Sequence, residues 1–498
     1  MGAFCSHATD EPANPPPAAR DPPPPLISPD PSLPQPSPFR LLDLPTEVIL
    51  TIITAVDERD PSPTFPAGPP TDLLNLSLTS RWFHSLCHPL VWRSIRYTPE
   101  DEYRPAEWRE KRDLQALRSL ILEREKAQRA PFPVLQLSLT EPSLFDTLGS
   151  AEGQAEEDAY IEVIEAFART TLQVLFLKEV EMSAANGAKL LAAVETSPRL
   201  SALRFNQVDF APDPPGRVQS MGSLPRIKTL QVMHSDPELF DLILHSPNLD
   251  SVLLWPSSRR LSKYMPHIVS LLPHLRNLSL DAVKQASVFR TLANEILRLS
   301  PTLDLPLTEL FLEGPSTATD LAVLVQALAQ LPNLRRLALY QVQEPKPALF
   351  HDLAAAMPRL EALTVVSGDC SEAVEWPAPL EAYLPQLRKL PYLRFFAWDR
   401  RSPRVGPTEA QLTALAGEGG IYIHPTQKRA EFDALAQVGQ TCKRLREAVA
   451  ITSDVSEGSS GYFATYTRER GSTRIALVKK TVNEFLIGYD RWVQVEDD

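Results

Sequence analysis

The segment Leu334-Arg335-Arg336-Leu337-Ala338-Leu339 has a Leu-x-x-Leu-x-Leu spacing that recurs along most of the chain. Successive copies begin 22 to 33 residues apart, as the starts at 227, 249, 360 and 393 show. That interval accommodates one short strand, one helix and two loops, so the sequence predicts an array of structural repeats. The copies start at Leu172, Leu200, Ile227, Leu249, Leu275, Leu307, Leu334, Leu360 and Leu393, with a weaker copy at Val134.

Proline marks the entrance to most copies, standing two residues before the first apolar position in seven of them. Because proline stops a helix and biases the preceding residue toward extended backbone, it predicts a helix-to-strand boundary at each entrance. The segments 320–331 and 349–357, which precede two of these prolines, have amphipathic helical spacing. An ordinary α/β sheet with leucine-rich strands is the alternative, and the regular spacing disfavours it. The seven prolines are Pro198, Pro225, Pro247, Pro273, Pro332, Pro358 and Pro391.

The repeated unit resembles that of the leucine-rich-repeat family. The resemblance implies an α/β solenoid over residues 132–399, a horseshoe with parallel strands inside and helices outside. The family's usual unit carries Asn or Cys three residues after the last leucine, where its side chain satisfies backbone groups of the loop. Valine stands there in four copies, so we expect an irregular solenoid whose loops are satisfied by water or backbone. These valines are Val180, Val208, Val283 and Val342.

Length, charge and cysteine content limit the classes of protein to which the chain can belong. The 498 residues exceed the size at which one hydrophobic core stops growing, about 250–300 residues. The net charge of −12 and the lack of a Lys/Arg-rich run disfavour nucleic acid as a partner. Four widely spaced cysteines and no CxxC pair are typical of a reducing compartment. We find no transmembrane run or signal peptide and expect a cytoplasmic or nuclear protein.

The first 38 residues contain 13 prolines and predict a disordered, polyproline-like tail. Such a tail serves as a solubilising arm or as a ligand for SH3- or WW-like grooves. The first six residues fit the N-myristoylation pattern at Gly2, and Cys5 is available for a palmitoyl group. We expect membrane contact only if this N-terminus is acylated, since one acyl chain alone binds weakly.

A short helical module is predicted over residues 39–97, with a proline-rich loop insertion at 57–71. Leu44-Pro45-Thr46-Glu47 suits the first turn of a helix that continues with an apolar stripe including Ile49. A second helix is predicted from Asp72, with Leu73 and Leu76 on its apolar face. So few short helices cannot bury all of this apolar surface between themselves, which predicts a partner.

This module resembles the F-box, whose pattern is an LPxE-type helix start, a leucine-rich second helix, a Cys/Ser-Arg-x-Phe centre and a closing Leu-x-Trp. The corresponding segments are 44–47, then 80–83, then 90–92. The resemblance implies binding to the small Skp adaptor of a cullin–RING ubiquitin ligase. The insertion at 57–71 departs from the family pattern and would weaken docking if it lay over the adaptor-binding surface. Carried over, the adaptor contacts are Leu44, Pro45, Ile49, Leu73 and Leu76.

A recognition surface is expected on the inner face of the solenoid, where the residue between the last two apolar positions of each copy points away from the leucines. Aromatic and arginine side chains there are typical of binding hot spots and favour an acidic or phosphorylated protein substrate. The alternative is that flanking loops cover these side chains. The predicted substrate contacts are Phe176, Arg204, Gln231, Leu253, Arg276, Phe311 and Arg335.

The remaining segments receive simpler predictions. Residues 98–131 are predicted to form a charged, solvated helical linker, with its helix over 107–129. Glu157 and its acidic neighbours are expected in a solvated loop. Residues 400–498 are predicted to hold a degenerate repeat and a C-terminal cap with a β-hairpin over 462–478. Within them, a helix over 432–446 and a strand over 445–450 overlap, so at most one of them holds at Leu445 and Arg446.

The motifs of common enzymes are absent from the sequence, which contains no P-loop, no GxSxG and no GxGxxG opening a helix. We therefore expect no cofactor, no metal and no catalytic activity. The sequence predicts a short F-box-like helical module followed by an irregular leucine-rich-repeat solenoid. The F-box resemblance implies that the chain acts as a substrate-recognition subunit of a cullin–RING ubiquitin ligase. The alternative is a repeat scaffold or GTPase-regulator-like protein without a role in ubiquitin transfer.

Overall fold

The computed structural model divides the chain into two compact units, Met1–Ile52 and Ile53–Asp498. In the first unit the structure describes Ile49, a buried helical residue. The described residues are 49, 76, 78–80, 82–83, 86–87, 93–97, 110–127, 134–140, 151–211, 217–256, 261–281, 287–367, 375–399, 425–451, 460–469 and 472–481.

A single 14-stranded sheet forms the frame of the second unit, with its strands in sequence order. Strands β1 to β12 pair in parallel with one another, whereas β13 pairs antiparallel with both β12 and β14. The strands are β1 Ser94–Tyr97, β2 Gln136–Thr140, β3 Val174–Ser183, β4 Ala202–Ala211, β5 Thr229–Met233, β6 Ser251–Trp255, β7 Asn277–Asp281, β8 Glu309–Ser316, β9 Arg336–Val342, β10 Ala362–Val365, β11 Phe395–Trp398, β12 Glu447–Ile451, β13 Ser460–Glu469 and β14 Ser472–Thr481.

Helices connect most of the parallel strands, and the sequence order of the sheet makes this a solenoid-like α/β repeat. All nine predicted copies and the weaker copy at Val134 form strands, which confirms the periodicity. The helices are α1 Glu110–Lys126, α2 Ala151–Ala168, α3 Ala184–Thr196, α4 Pro237–Phe240, α5 Leu242–His245, α6 Leu261–Leu271, α7 Ser287–Leu299, α8 Ala318–Leu328, α9 Pro347–Ala356, α10 Leu380–Leu387 and α11 Pro425–Thr441, with a 3-10 turn at Val218–Ser220.

Leucine positions of the repeats build one continuous core between the sheet and the helices. A cluster of buried apolar side chains runs from Ile121 to Ala450 and contains both strand and helix residues. Leu278 and Leu337 are 0% exposed, as the repeated spacing requires. Because side chains alternate along a strand, the residues between these leucines lie on the opposite face of the sheet, here called the second face.

Three of the four valine positions, Val180, Val208 and Val342, are described and buried, and a left-handed residue precedes each of them, whereas Val283 lies outside the described residues. Glu179, Gln207 and Gln341 have φ of 54°, 54° and 57°. This conformation costs about 1–2 kcal/mol for a residue with a Cβ atom. It turns the chain so that the following valine faces the core, since Val180, Val208 and Val342 are 2% exposed or less.

Backbone groups of these loops are satisfied by the next repeat. The Val342 N–H donates to the Val366 carbonyl at 3.0 Å, which confirms the expected backbone pairing. Val208 uses a hydroxyl that the sequence did not predict. The Val208 N–H donates to Ser235 Oγ at 3.1 Å, and the Asp236 N–H donates to the Val208 carbonyl at 2.8 Å.

Glu157 corrects the expectation of a solvated acidic loop, since it lies in α2 and is 4% exposed. Its carboxylate accepts hydrogen bonds from the N–H and hydroxyl of Ser183, the hydroxyl at 2.8 Å. Ser183 is in turn the N-cap of α3. A negative charge is stabilised at the positive end of a helix, so the contact of Glu157 with the N-terminus of α3 stabilises the packing of one repeat on the next.

The charged segment before the repeats is helical as predicted, but it is not fully solvated. Ile121 of α1 is 8% exposed and belongs to the continuous core. Arg118 donates to both carboxylate oxygens of Glu162 in α2, at 2.6 and 2.9 Å. The prediction of a solvated helix rested on the high charge of the segment and overlooked its apolar stripe. The helix therefore packs in part as a layer of the repeat array.

The last described segments contain one further helix–strand unit and an antiparallel hairpin. Strand β12 pairs in parallel with β11, and the helix α11 before it ends at Thr441. Leu445 and Arg446 therefore lie in the turn between helix and strand, so both the predicted helix and the predicted strand are wrong at these two residues. Strands β13 and β14 form an antiparallel hairpin with Phe463 opposite Val478. None of the described helices is long and apolar enough to cross a membrane.

Candidate docking and recognition surfaces

Two exposed apolar side chains lie in the described part of the N-terminal module. Leu78 is 74% exposed and Trp82 is 38% exposed, although both are helical residues. Phe83 and Cys87 nearby are buried. Apolar area that remains in contact with water is favourable to cover, at about 25 cal/mol per Å². Leu78 and Trp82 therefore define a candidate docking surface.

A serine cap shapes this surface. Ser80 lies outside the helical segments, and its Oγ accepts a hydrogen bond from the Phe83 N–H at 3.2 Å. On the other side, Thr79 Oγ1 donates to the Leu76 carbonyl at 2.7 Å. The single second helix predicted from Asp72 is thus wrong at Ser80, because a serine there starts a new helical segment as its N-cap.

The predicted adaptor contacts are placed unevenly. Leu44, Pro45 and Leu73 lie outside the described residues, and their roles stay predictions. Leu76 is half-buried. Ile49 is 1% exposed, so its side chain is not available to a partner in this conformation.

Sequence spacing missed Leu78 and Trp82 because the prediction followed the stripe that contains Leu73 and Leu76. Leu78 lies two residues from Leu76 and therefore on a different side of a helix. That offset is the signal in the sequence that would have identified it.

Three of the predicted substrate contacts form one row on the second face. Phe176 of β3 pairs in register with Arg204 of β4, which pairs with Gln231 of β5. All three side chains are half-buried. The structure thus brings an aromatic ring, a guanidinium and an amide together across three neighbouring strands, and we call them the second-face row.

The same row continues into a buried end of the second face. Leu253 and Phe311 are each 4% exposed without any ligand. They belong to a second apolar cluster that includes Trp255 and Tyr340. The Phe311 ring centroid is 5.2 Å from that of Trp255 and 4.6 Å from that of Tyr340. Leu253 and Phe311 therefore stabilise the fold and are not exposed for substrate, and side chains of neighbouring strands cover them.

Arg276 and Arg335 lie apart from that row, at the edge where the strands begin. Each donates its backbone N–H to the preceding strand-entry residue, Arg276 to the Asp250 carbonyl and Arg335 to the Thr308 carbonyl, both at 2.8 Å. Arg276 is exposed and Arg335 is half-buried. The predicted substrate set thus divides into the second-face row, a buried cluster and a charged edge.

Cysteine and metal chemistry find little support in the described part of the chain. Cys87 and Cys442 are free thiols and both are buried. Burial raises the pKa of Cys87, and it raises the pKa of Cys442 to about 11. Both thiols therefore stay protonated at neutral pH and are poor nucleophiles. Across the same residues, no group of three or more His, Cys, Asp or Glu side chains is arranged to hold a metal ion.

Comparison with protein families matches residues 41–98 to the F-box-like family. The match supports an F-box protein and covers the segment that contains Leu78, Trp82 and the Ser80 cap. It ends one residue beyond β1, so its last residues are also the first strand of the sheet. No curated protein is similar enough to the chain to count as a relative.

Proposed function

We propose that this chain is a substrate-recognition subunit of an SCF-type cullin–RING ubiquitin ligase. The F-box-like match at residues 41–98 carries the proposal. F-box domains generally bind Skp adaptors, and the adaptor would connect the chain to a cullin. Other subunits would transfer ubiquitin, so the chain would need no cofactor and no catalytic residue of its own. We place this role in the cytoplasm or the nucleus.

The repeat array would hold the protein substrate. We assign it to the leucine-rich-repeat class because the Leu-x-x-Leu-x-Leu unit recurs on each of the parallel strands β3 to β11. The second-face row of Phe176, Arg204 and Gln231 supplies a ring for apolar contact, a cation and an amide within three strands. Arginine pairs well with carboxylate and phosphate, so we propose an acidic or phosphorylated substrate segment.

Binding of the full chain to a purified Skp adaptor tests the docking step, with Leu78→Asp as the test variant. Leu303→Asp is the matched control, because Leu303 is an exposed leucine (42%) outside the F-box-like segment. If Leu78 is a hot spot, its loss costs about 2 kcal/mol, which weakens adaptor binding about 30-fold. Equal thermal melting of both variants would show that folding is unchanged.

Absence of adaptor binding by the unmodified chain would reject the ligase role. Equal binding by the Leu78→Asp and Leu303→Asp variants would reject the assigned docking surface and leave the ligase role standing.

A repeat scaffold or GTPase-regulator-like protein is the second candidate, and one observation favours it. Strand β1 lies inside the F-box-like match and pairs with β2 from Ser94 opposite Gln136 to Tyr97 opposite Leu139. An N-terminal cap of a solenoid has this arrangement, because a terminal repeat needs a cover. Adaptor binding separates the two candidates, since a cap alone has no reason to bind it.

A further inference from the structure

Positive charge is concentrated in the turns that lead into the last parallel strands. The four turns at 329–335, 357–361, 388–394 and 442–446 precede β9 to β12 and contain eight Arg or Lys residues but one acidic residue. The whole chain has a net charge of −12, so this local excess opposes the overall balance. We call these side chains the basic edge: Arg335, Arg359, Arg388, Lys389, Arg394, Lys443, Arg444 and Arg446.

Backbone hydrogen bonds place the strand-entry residues of this edge in one column. The Glu361 N–H donates to the Arg335 carbonyl, the Arg394 N–H to the Glu361 carbonyl, and the Arg446 N–H to the Arg394 carbonyl, each at 2.7 Å. Neighbouring strands are about 4.8 Å apart. The charges along the column are therefore close enough to interact directly.

Glu361 shows that a carboxylate fits between the arginine side chains of this column. Its carboxylate lies between two guanidinium groups, 4.0 Å from Arg335 and 3.7 Å from Arg394. One strand further, Arg446 follows Arg394 with no acidic residue between them in the column, and Arg446 is exposed. Glu447, which follows Arg446 as the first residue of β12, is a half-buried carboxylate beside this edge. Like charges at such spacing repel, so an incoming carboxylate would relieve the repulsion.

An aromatic side chain completes the edge. Tyr392 is 45% exposed, and the Arg444 guanidinium lies 4.9 Å from the centre of its ring. Exposed tyrosine with arginine is typical of binding hot spots. Some of the cations are already engaged, since Lys389 contacts His351 at 2.9 Å. No described residue forms an ion pair with Arg359, Arg388, Lys443, Arg444 or Arg446.

We propose that the basic edge is a docking surface for an acidic, Asp/Glu-rich segment of a partner protein. It is separate from the second-face row and does not depend on adaptor binding. Six of the eight cations are arginines, whose planar guanidinium groups match carboxylates with two parallel hydrogen bonds. A short acidic peptide would contact this edge alone, whereas long nucleic acid would also meet the negative remainder of the chain.

Fluorescence anisotropy of a labelled 12-residue Asp/Glu peptide, titrated with the full chain, tests the proposal. The test variant is Arg444→Ala/Arg446→Ala. The control is Arg199→Ala/Lys228→Ala, which removes the same charge from equivalent turn positions before β4 and β5. We expect the test variant to bind at least about tenfold more weakly and the control to change affinity less than about twofold. A Gln/Asn peptide of equal length should not bind.

Three results would overturn the proposal. The first is no binding of the acidic peptide. The second is an equal loss in the test and control variants, which would indicate general charge attraction. The third is tighter binding of a single-stranded oligonucleotide of equal charge, which would assign the edge to nucleic acid. Circular dichroism of the test variant should match that of the unmodified chain, and Lys443→Ala provides a second variant on the same turn.

Discussion

Replacement of Phe311 by alanine tests whether the buried end of the second face is structural. Phe311 is 4% exposed, and its ring stacks on Tyr340 and lies tilted against Trp255. Truncation of a buried phenylalanine to alanine costs about 3–5 kcal/mol. Because two ring pairs are lost, we expect the free energy of unfolding to fall by an amount at the upper end of that range.

Phe176→Ala is the matched control, since Phe176 occupies the same repeat position in β3 and is half-buried. We expect it to cost less than half as much. Urea unfolding of the full chain, followed by circular dichroism and tryptophan fluorescence, gives both values. Equal destabilisation by the two substitutions would refute the conclusion that Phe311 is a core residue and Phe176 a surface one.

Three further substitutions test local contacts. Asp320→Asn should lower stability at pH 7 by about 1–2 kcal/mol, because hydrogen bonds from Thr317 lower the pKa of Asp320. That difference should vanish in melts as pH falls through the lowered pKa, where native Asp320 also becomes protonated. Glu181→Gln should raise the melting temperature at pH 7, since burial and Asp209 raise the pKa of Glu181; the gain should shrink as pH falls through that raised pKa. Ser235→Ala should cost about 1–3 kcal/mol in urea unfolding, because it leaves a buried N–H without its acceptor.

The strands were predictable because the repeat spacing fixes which side chains face the core. Leu278 and Leu337 occupy equivalent positions in different copies, and both are completely buried. The prolines located the helix ends for the same local reason, as at Pro332, four residues after α8 ends. Local signals of this kind need no knowledge of distant contacts.

The recognition surface was predicted less well because burial on the second face depends on contacts across strands. Phe176 and Phe311 have the same repeat position, but the Phe311 ring packs against those of Tyr340 and Trp255, which belong to other repeats. Strand β1 was missed for a related reason. Residues 94–97 lack the leucines of the repeat and form a strand through pairing with β2.

We propose that the F-box-like segment connects the repeat array to a cullin through a Skp adaptor. Size-exclusion chromatography of the full chain with a purified cullin, with and without the adaptor, tests it most directly. We predict that the chain elutes with the cullin only when the adaptor is present, and that Leu78→Asp, which weakens adaptor binding about 30-fold, lowers the amount of chain in this complex. Separate elution of chain and cullin in the presence of adaptor would contradict the account.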